Sequence, residues 1–242
     1  LSLAFPVMVT QAGQMVVQFA DNIMVGHLGT SQFAGVGFAN ALFSMGLVFC
    51  TCFTQGVIPF IGQNYGRGEH RKVAQYFTNG LVLDILMCAV LMGIMLACIP
   101  LMDHMGQDPQ ILGYAKEYYR LMVYSLAPFV IFYVIRALTE GVGNTKYTMY
   151  ITIFCNVLNI FLNWVFIFGH CGFEAMGVKG AAVATFSSRV VMMLIGITIL
   201  LTGKLYKRYL ADIQLSALNM KQLVEVAKTS FPISLQGLVE VT

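Results

Sequence analysis

Polar side chains recur along one face of the first apolar segment of the chain. Gln11, Gln14, Gln18 and Asp21 lie in this segment, and at about 100° per residue they fall within an arc of roughly 80° on one helix face. A carboxylate flanked by amides offers oxygen ligands to a cation, a site for a proton and hydrogen bonds to a solute. The pattern therefore predicts an ion-binding or solute-binding face.

Two further apolar segments carry polar stripes of the same kind. Their members are Thr152, Asn156, Asn159 and Asn163 in the fifth segment and Asn40, Ser44, Thr51 and Gln55 in the second. Lipid cannot satisfy these groups, so the stripes must face protein or a water-filled cavity. Hydrogen bonds between helices, worth about 0.6–2 kcal/mol each, would account for Ser44, Thr51 and Thr152. We expect Asp21, Asn159 and Asn163 to face a cavity.

Three acidic residues lie inside apolar segments, namely Asp21, Asp84 and Glu240. An unpaired charge at the centre of a bilayer costs at least about 2.5–3.5 kcal/mol, so such a residue usually binds an ion, carries a proton or pairs with another charge. A functional role is favoured for Asp21 and Glu240. A salt bridge to a base near the cytoplasmic surface would also account for Asp84. Arg189 is expected to be a structural partner of one of these acids.

The composition requires a membrane to solvate the chain. Of its 242 residues, 58% are hydrophobic and only 10% are charged, whereas soluble domains carry roughly a quarter charged residues. Several apolar stretches reach about 20 residues, the length that crosses a hydrocarbon core. The sequence thus predicts an all-α polytopic membrane protein. A net charge of +3 is too small to indicate a nucleic-acid partner.

The apolar stretches predict six complete spans and the beginning of a seventh. Residues 1–203 form a six-helix transmembrane lobe, residues 204–229 a cytoplasmic connector with an amphipathic helix, and residues 230–242 the start of the seventh helix. Asn219 is placed as an N-cap in the connector, and Pro128 is expected to kink the fourth span. Because both ends lie inside apolar runs, we expect the chain to be truncated at each end. Part of the functional protein should then lie outside this sequence.

Basic residues are distributed unevenly between the loops. One side carries Arg67, Arg71, Lys72, Arg136, Lys146, Lys204, Lys207, Arg208, Lys221 and Lys228, and the other carries Lys116, Arg120 and Lys179. Short cytoplasmic loops carry the excess of Lys and Arg. The first set should therefore be cytoplasmic, and the N-terminus should then lie in the cytoplasm. We expect a multi-pass protein of the cytoplasmic (inner) membrane.

The motifs of intramembrane enzymes are missing from the sequence. There is no His-Glu-x-x-His metal motif and no Gly-x-Ser-x-Gly elbow, and all four histidines (His27, His70, His104 and His170) are predicted at loops. The six cysteines show no metal spacing. The chain is therefore not expected to be an enzyme or to hold a cofactor or structural metal.

Several long segments, in order, resemble the multidrug and toxic compound extrusion (MATE) family. They are FPVMVTQAGQMVVQFADNIMVGHLG, FANALFSMGLVFCTCFTQGVIPFIGQNYGRGE, IRALTEGVGNTKYTMYITIFCNVLNIFLNWVFIFG and GVKGAAVAT. FPISLQGLVEVT is similar to the seventh helix of the NorM-like branch. The resemblance implies twelve helices in two lobes around a central cavity, of which this chain would be the N-terminal lobe.

The resemblance also assigns candidate roles to residues. Asp21 matches the acid of the first helix that is linked to the coupling cation or proton, and Asn159 matches its polar partner in the fifth helix. Asn163 stands where the DinF-like branch commonly has an acid, so a proton site built on a second acid is in doubt. Glu240 matches the cation-site glutamate of the NorM-like branch. The amides Gln14, Gln18, Gln55 and Asn156 are expected to line the substrate cavity.

The expected function is export of amphiphilic, often cationic drugs in exchange for Na⁺ or H⁺, by a lobe that works with the C-terminal lobe of the same protein. Na⁺, if it is the coupling ion, would bind at Asp21 and Glu240. A lipid-linked precursor flippase of a related fold is the alternative. That activity favours bases in the cavity for a pyrophosphate, and Arg189 is the only mid-span base in the sequence.

Overall fold

The computed structural model describes residues 4–203, 206, 209 and 219–241. Within these residues all regular secondary structure is helical. The α-helices are α1 (Ala4–Gly26), α2 (Thr30–Gln55), α3 (Ile58–Gly66), α4 (His70–Ala97), α5 (Pro109–Tyr124), α6 (Leu126–Gly141), α7 (Lys146–Phe168), α8 (Val178–Thr202) and α9 (Met220–Val241), and a 3₁₀ helix follows α4 at Ile99–His104. The predicted all-α class is confirmed.

Five helical segments are long and apolar enough to cross a membrane. They are Thr30–Gly66, His70–His104, Pro109–Gly141, Lys146–Phe168 and Val178–Thr202. These correspond to the second to sixth predicted spans. Helix α1 has 23 residues, which is sufficient length, but its three glutamines and Asp21 lower its hydropathy because they replace apolar side chains.

Two of these segments are interrupted near a proline. The fourth span breaks at Ser125, between α5 and α6, three residues before the buried Pro128. Proline lacks the N–H that would bond to the carbonyl four residues earlier, so an interruption is expected at this point. The kink at Pro128 stays a prediction. The second span breaks at Gly56–Val57, ahead of Pro59 in the first turn of α3.

Glycine allows α7 and α8 to pack closely as a hairpin. Helix α7 ends at Gly169, whose left-handed conformation (φ 76°) favours glycine. At Gly180 in α8, a Cβ atom would lie 2.5 Å from the carbonyl oxygen of Phe166. The two helix backbones therefore touch at this point, as small residues permit in membrane bundles.

Helix α9 is continuous through the predicted boundary at Ser230. Its N-cap is Asn219, as predicted, because the side-chain Oδ1 accepts a hydrogen bond from the backbone N–H of Lys221 (3.0 Å). The helix then runs through Pro232 to Val241. It packs against α2 and α4, so the part of the connector from residue 219 onward joins the seventh span without a break.

The packing of the helices leaves a cavity inside the lobe. Helix α1 contacts α2 and α7, α7 contacts α8, and α8 contacts α5 and α6. Helices α3, α4 and α9 lie behind α2 and α6. The hydrophobic core follows this arrangement, since its main cluster joins buried residues of all nine described α-helices, from Val25 of α1 to Val226 of α9.

Candidate functional site

A cavity of about 680 Å³ lies between α1, α2, α5, α6, α7 and α8. All the predicted stripe residues except Asn163 line it: Gln11, Gln14, Gln18, Asp21, Asn40, Ser44, Thr51, Gln55, Thr152, Asn156 and Asn159. The three stripes were predicted from helical periodicity alone. The structure brings them to one cavity because α1 packs on both α2 and α7.

Among the described residues, the hydroxyl groups of the stripes bond within their own helices and not between helices, so in this respect the sequence prediction is wrong. Ser44 donates to the carbonyl of Ala41, Thr51 to that of Val48 and Thr152 to that of Thr148, each within its own helix. Serine and threonine reach the carbonyl three or four residues earlier without help from a neighbour. Their hydroxyls are therefore satisfied locally.

Asp21 is held by a chain of amides from α7. Asn163 donates through Nδ2 to Oδ1 of Asp21 and to Oδ1 of Asn159 (3.2 Å). Asn159 in turn donates to Ser188 Oγ at 3.3 Å and Thr185 Oγ1 at 3.4 Å on α8. The four-residue spacing of Asn159 and Asn163 puts both amides on one helix face. The network thus fixes the position of the Asp21 carboxylate at the cavity wall.

Asn163 supports Asp21 from behind the cavity wall. Its side chain is fully buried, and its Oδ1 oxygen has no hydrogen-bond donor among the described residues. A buried polar oxygen without a partner requires an explanation. This oxygen belongs to the same amide group whose Nδ2 donates to Asp21.

Arg189 enters the cavity from α8 but is held by neutral partners. Its Nη1 donates to Ser125 Oγ at 2.6 Å, and its guanidinium lies over Phe129 (4.7 Å) and Phe43 (5.4 Å). No ion pair of Arg189 within 4.0 Å occurs in the described part of the chain, and its attraction to Asp21 acts at longer range. The predicted role as a direct structural partner of an acid is therefore not found there.

A partly buried ion pair in α6 was not predicted from the sequence. Arg136 Nε and Glu140 Oε1 are 2.6 Å apart, with side chains only 12% and 18% exposed, and both line the cavity. Arg136 also lies over the ring of Tyr133 (5.2 Å), whose hydroxyl accepts a hydrogen bond from Gln14 Nε2 at 3.3 Å. The pair could have been predicted from the sequence, because opposite charges four residues apart lie on the same face of a helix.

The other two intramembrane acids lie away from this cavity. Glu240, on α9, is exposed and accepts a hydrogen bond from Gln236 Nε2 (3.1 Å); it is not among the lining residues that the structure describes. Asp84, on α4, is buried behind α2 and bonds to Thr54. A salt bridge from Asp84 to a base is not found in residues 4–203 and 219–241.

Metal-ligating side chains do not cluster in this part of the molecule. Among the described residues, no group of three or more His, Cys, Asp or Glu side chains could hold a metal ion. Oxygen atoms of Asp21 and the neighbouring amides are instead the groups that a monovalent cation or a proton would meet in the cavity.

The family model and the relatives that match the chain agree on one family. The MatE family model matches residues 6–165. A relative from Agrobacterium fabrum, described as "Probable multidrug resistance protein NorM", is 27% identical over the whole chain, which covers 52% of that protein. A relative of the same description from Rhizobium meliloti is 32% identical over 184 residues, 76% of this chain and 39% of that protein.

A solved structure has the same fold. It is described as "Crystal structure of MATE in complex with MaL6" and superimposes with a TM-score of 0.87 at 26% identity over 98% of this chain and 52% of that one. The chain thus spans about half the length of the relatives and the structure that it matches.

Proposed function

Because this chain belongs to the MatE family of transporters, as its match over residues 6–165 shows, we propose that it is one lobe of a multidrug exporter. The NorM relatives are described as multidrug resistance proteins. Since the chain covers 52% of one relative and 39% of the other, export would require a second lobe, which is the C-terminal part of the same protein. The family is one of transporters, in agreement with the expectation that the chain is not an enzyme.

One observation supports the coupling site most strongly. The carboxyl group of Asp21 borders the polar cavity and is held by Asn163, whose second polar atom has no partner among the described residues. Asp21, Asn163 and Asn159 together present oxygens to a Na⁺ ion, and Asp21 alone can take up a proton. We propose this group as the cation-coupling site of the lobe, with Glu240 contributing from α9 when the second lobe is in place.

The electrical potential of the membrane would drive the cycle. Entry of one positive charge into a negative cytoplasm is favourable by about 2.3 kcal/mol per 100 mV. Drug export follows if the cation binds one arrangement of the two lobes more tightly and the drug binds the other. Asp21 is the residue at which the two ligands would compete, because it borders the drug cavity.

The proposed substrates are amphiphilic organic cations. The aromatic residues Tyr118, Phe129, Phe132 and Tyr133 line the cavity beside the amides Gln14, Gln18, Gln55 and Asn156. Aromatic faces attract organic cations, and the amides supply hydrogen bonds to polar substituents. The negative charges of Asp21 and Glu140 balance the positive charges of the two arginines that line the cavity.

A lipid-linked precursor flippase is the second candidate, favoured by the two arginines that line the cavity. Arg136 is engaged by Glu140 at 2.6 Å, however, and Arg189 by Ser125 at 2.6 Å and by two aromatic rings. A pyrophosphate would have to displace these partners. The structure therefore supports export of cations better than translocation of an anion.

The distribution of basic loop residues supports a topology with the N-terminus in the cytoplasm. Arg67, Arg71, Lys72 and Lys146 lie at the helix ends on that side, and Lys116 and Lys179 lie at the other. We propose insertion in the cytoplasmic (inner) membrane in this orientation. In a variant without the exposed Cys98 and Cys171, a cysteine placed at Gly66, where a Cβ atom would have nothing within 4 Å, should then react with an impermeant thiol reagent only from the cytoplasmic side.

The decisive experiment uses the full-length parent protein in liposomes. Export of a fluorescent organic cation is measured under a Na⁺ gradient alone and under a pH gradient alone, and Asp21→Asn is the test variant. One gradient should drive export in the parent protein but not in the variant. Export under neither gradient would refute coupled antiport, and undiminished export by Asp21→Asn would refute the site.

A further inference from the structure

Asp84 of α4 is an acidic side chain buried outside the drug cavity. Only 3% of its surface is exposed. Thr54 of α2 donates a hydrogen bond from Oγ1 to Oδ1 of Asp84 at 3.1 Å. The second oxygen, Oδ2, is also buried and has no hydrogen-bond partner in the part of the chain that the structure describes. This carboxyl group therefore lies at the α2–α4 interface with one of its two oxygen atoms lacking a hydrogen bond from the described residues.

No cationic group compensates Asp84 in the described residues. The titratable groups around it are the Cys50 thiol of α2 and the Cys88 thiol of α4, which contact each other. None of the ion pairs among the described residues includes Asp84. On neighbouring helices, Arg136 pairs with Glu140 on α6, and Glu225 of α9 accepts a hydrogen bond from Tyr76 of α4. Asp84 thus has one hydroxyl and two thiols near it, and no ion pair.

An ionised carboxylate is a poor fit to these surroundings. Burying a charge without an opposite charge beside it is unfavourable, and the single hydrogen bond from Thr54 does not offset this cost. A protonated carboxylic acid is a better fit, since it carries no charge and accepts the Thr54 hydrogen bond at Oδ1. Hard cations require several oxygen ligands, whereas this site presents Asp84, Thr54 and two thiols.

We propose that Asp84 is a second proton-binding site of the lobe, separate from Asp21, and that its bound proton stabilises the packing of α2 against α4. The proton adds to Oδ2, converting the carboxylate to the neutral acid, and leaves by the same bond. This inference goes beyond the drug cavity and does not depend on which solute is exported.

The hydrogen-bond partner of Asp84, Thr54, lies close to the contact of α2 with α9. Gly56 lies two residues after Thr54, and a Cβ atom at Gly56 would be 2.2 Å from Oγ of Ser230 on α9. This Ser230 oxygen is buried and has no partner among the described residues. Loss of the proton would require water to enter or the side chains around Asp84 to rearrange. Helix α2 would transmit this rearrangement to its contact with α9. Helix α9 leads toward the second lobe.

Infrared spectroscopy of the full-length protein tests the proposal directly. A protonated carboxyl group has a carbonyl stretch that is distinct from that of a carboxylate. We expect such a band at neutral pH in the parent protein, its loss in Asp84→Asn, and its retention in Asp21→Asn. As an exposed control, Asp103→Asn should leave the band unchanged, because Asp103 is ion-paired to Lys116 at 2.6 Å.

A second variant keeps the test independent of folding. Thr54→Val removes the hydrogen bond to Oδ1 without removing the acid, so the frequency of the band should shift. Absence of the band from the parent protein at neutral pH would overturn the proposal, as would a band that neither Asp84→Asn removes nor Thr54→Val shifts. A protein with this band that exports no drug would refute only the function proposed above.

Discussion

Asn163 of α7 donates its Nδ2 hydrogen bond to the carboxyl group of Asp21 on α1, although the two residues are 142 positions apart in the sequence. The same nitrogen also donates to Asn159. One fully buried amide thus ties the first helix of the lobe to the fifth span and holds the acid that borders the cavity. The position of Asp21 is therefore sensitive to changes at a residue that is not among those lining the cavity.

Replacing Asn163 with Ala should weaken cation coupling. A hydrogen bond to a charged group contributes about 1.5–3 kcal/mol, so the cation concentration for half-maximal export should rise by about tenfold to a hundredfold. The measurement is drug export from liposomes as a function of cation concentration. Asn64→Ala is the matched control, because Asn64 is a buried amide that bonds within α3 to the carbonyl of Phe60. An unchanged concentration in Asn163→Ala would contradict the role of the amide.

Opposite changes are expected from the two members of the ion pair in α6. Glu140→Gln leaves Arg136 uncompensated in the cavity and should weaken binding of a cationic dye, whereas Arg136→Gln should strengthen it. At a separation of about 8 Å and an effective dielectric constant of 20 to 80, one charge changes the binding free energy by about 0.5–2 kcal/mol. Dye fluorescence in detergent measures both affinities.

A neutral dye of similar size is the control for this pair. Its affinity should change little in either variant, because the Coulomb energy acts only on a charged ligand. If both variants shift the cationic dye in the same direction, the effect arises from altered packing and not from charge.

Substituting Gly180 with Ala should destabilise the lobe. The added Cβ atom would lie within 2.9 Å of three backbone atoms of Phe166 and Ile167, and backbone cannot move aside as a side chain can. Overpacking of this kind typically costs about 1–3 kcal/mol, which a lowered thermal unfolding midpoint in detergent would report. Gly93→Ala is the control, since nothing lies within 4 Å of a Cβ atom there. Equal midpoints for the two variants would be inconsistent with close packing of α7 and α8.

Asn79→Ala should loosen the first turns of α9. The side chain of Asn79 is fully buried and donates from Nδ2 to Gln222 Oε1 at 2.7 Å. Loss of a buried hydrogen bond that leaves its partner unsatisfied costs about 1–3 kcal/mol. Amide hydrogen exchange near Gln222 should therefore accelerate by about fivefold to a hundredfold. Val224→Ala, on the exposed side of the same helix, should leave these rates unchanged, and equal rates in both variants would exclude an anchoring role.

The architecture of the lobe could be predicted from the sequence to a large extent. Apolar length indicated the spans, and Pro128 indicated the break in the fourth span, because both follow from local covalent geometry and from the thickness of a bilayer. The boundary predicted at Ser230 instead lies inside a continuous helix. Pro232 follows it, but the packing of α9 on α2 and α4 carries the helix through both residues.

The sequence by itself determined which helix faces are polar, since a period of 3.6 residues and the absence of water in lipid leave few alternatives for Asp21 and the amides of α1 and α7. Only the tertiary structure decided the partners of each charged group. It places Arg189 on Ser125 and two aromatic rings, pairs Arg136 with Glu140 at the cavity, and leaves Asp84 with Thr54 alone. Such pairings depend on how each helix is rotated and crossed against its neighbours, and close contacts such as that of Gly180 with α7 set those angles.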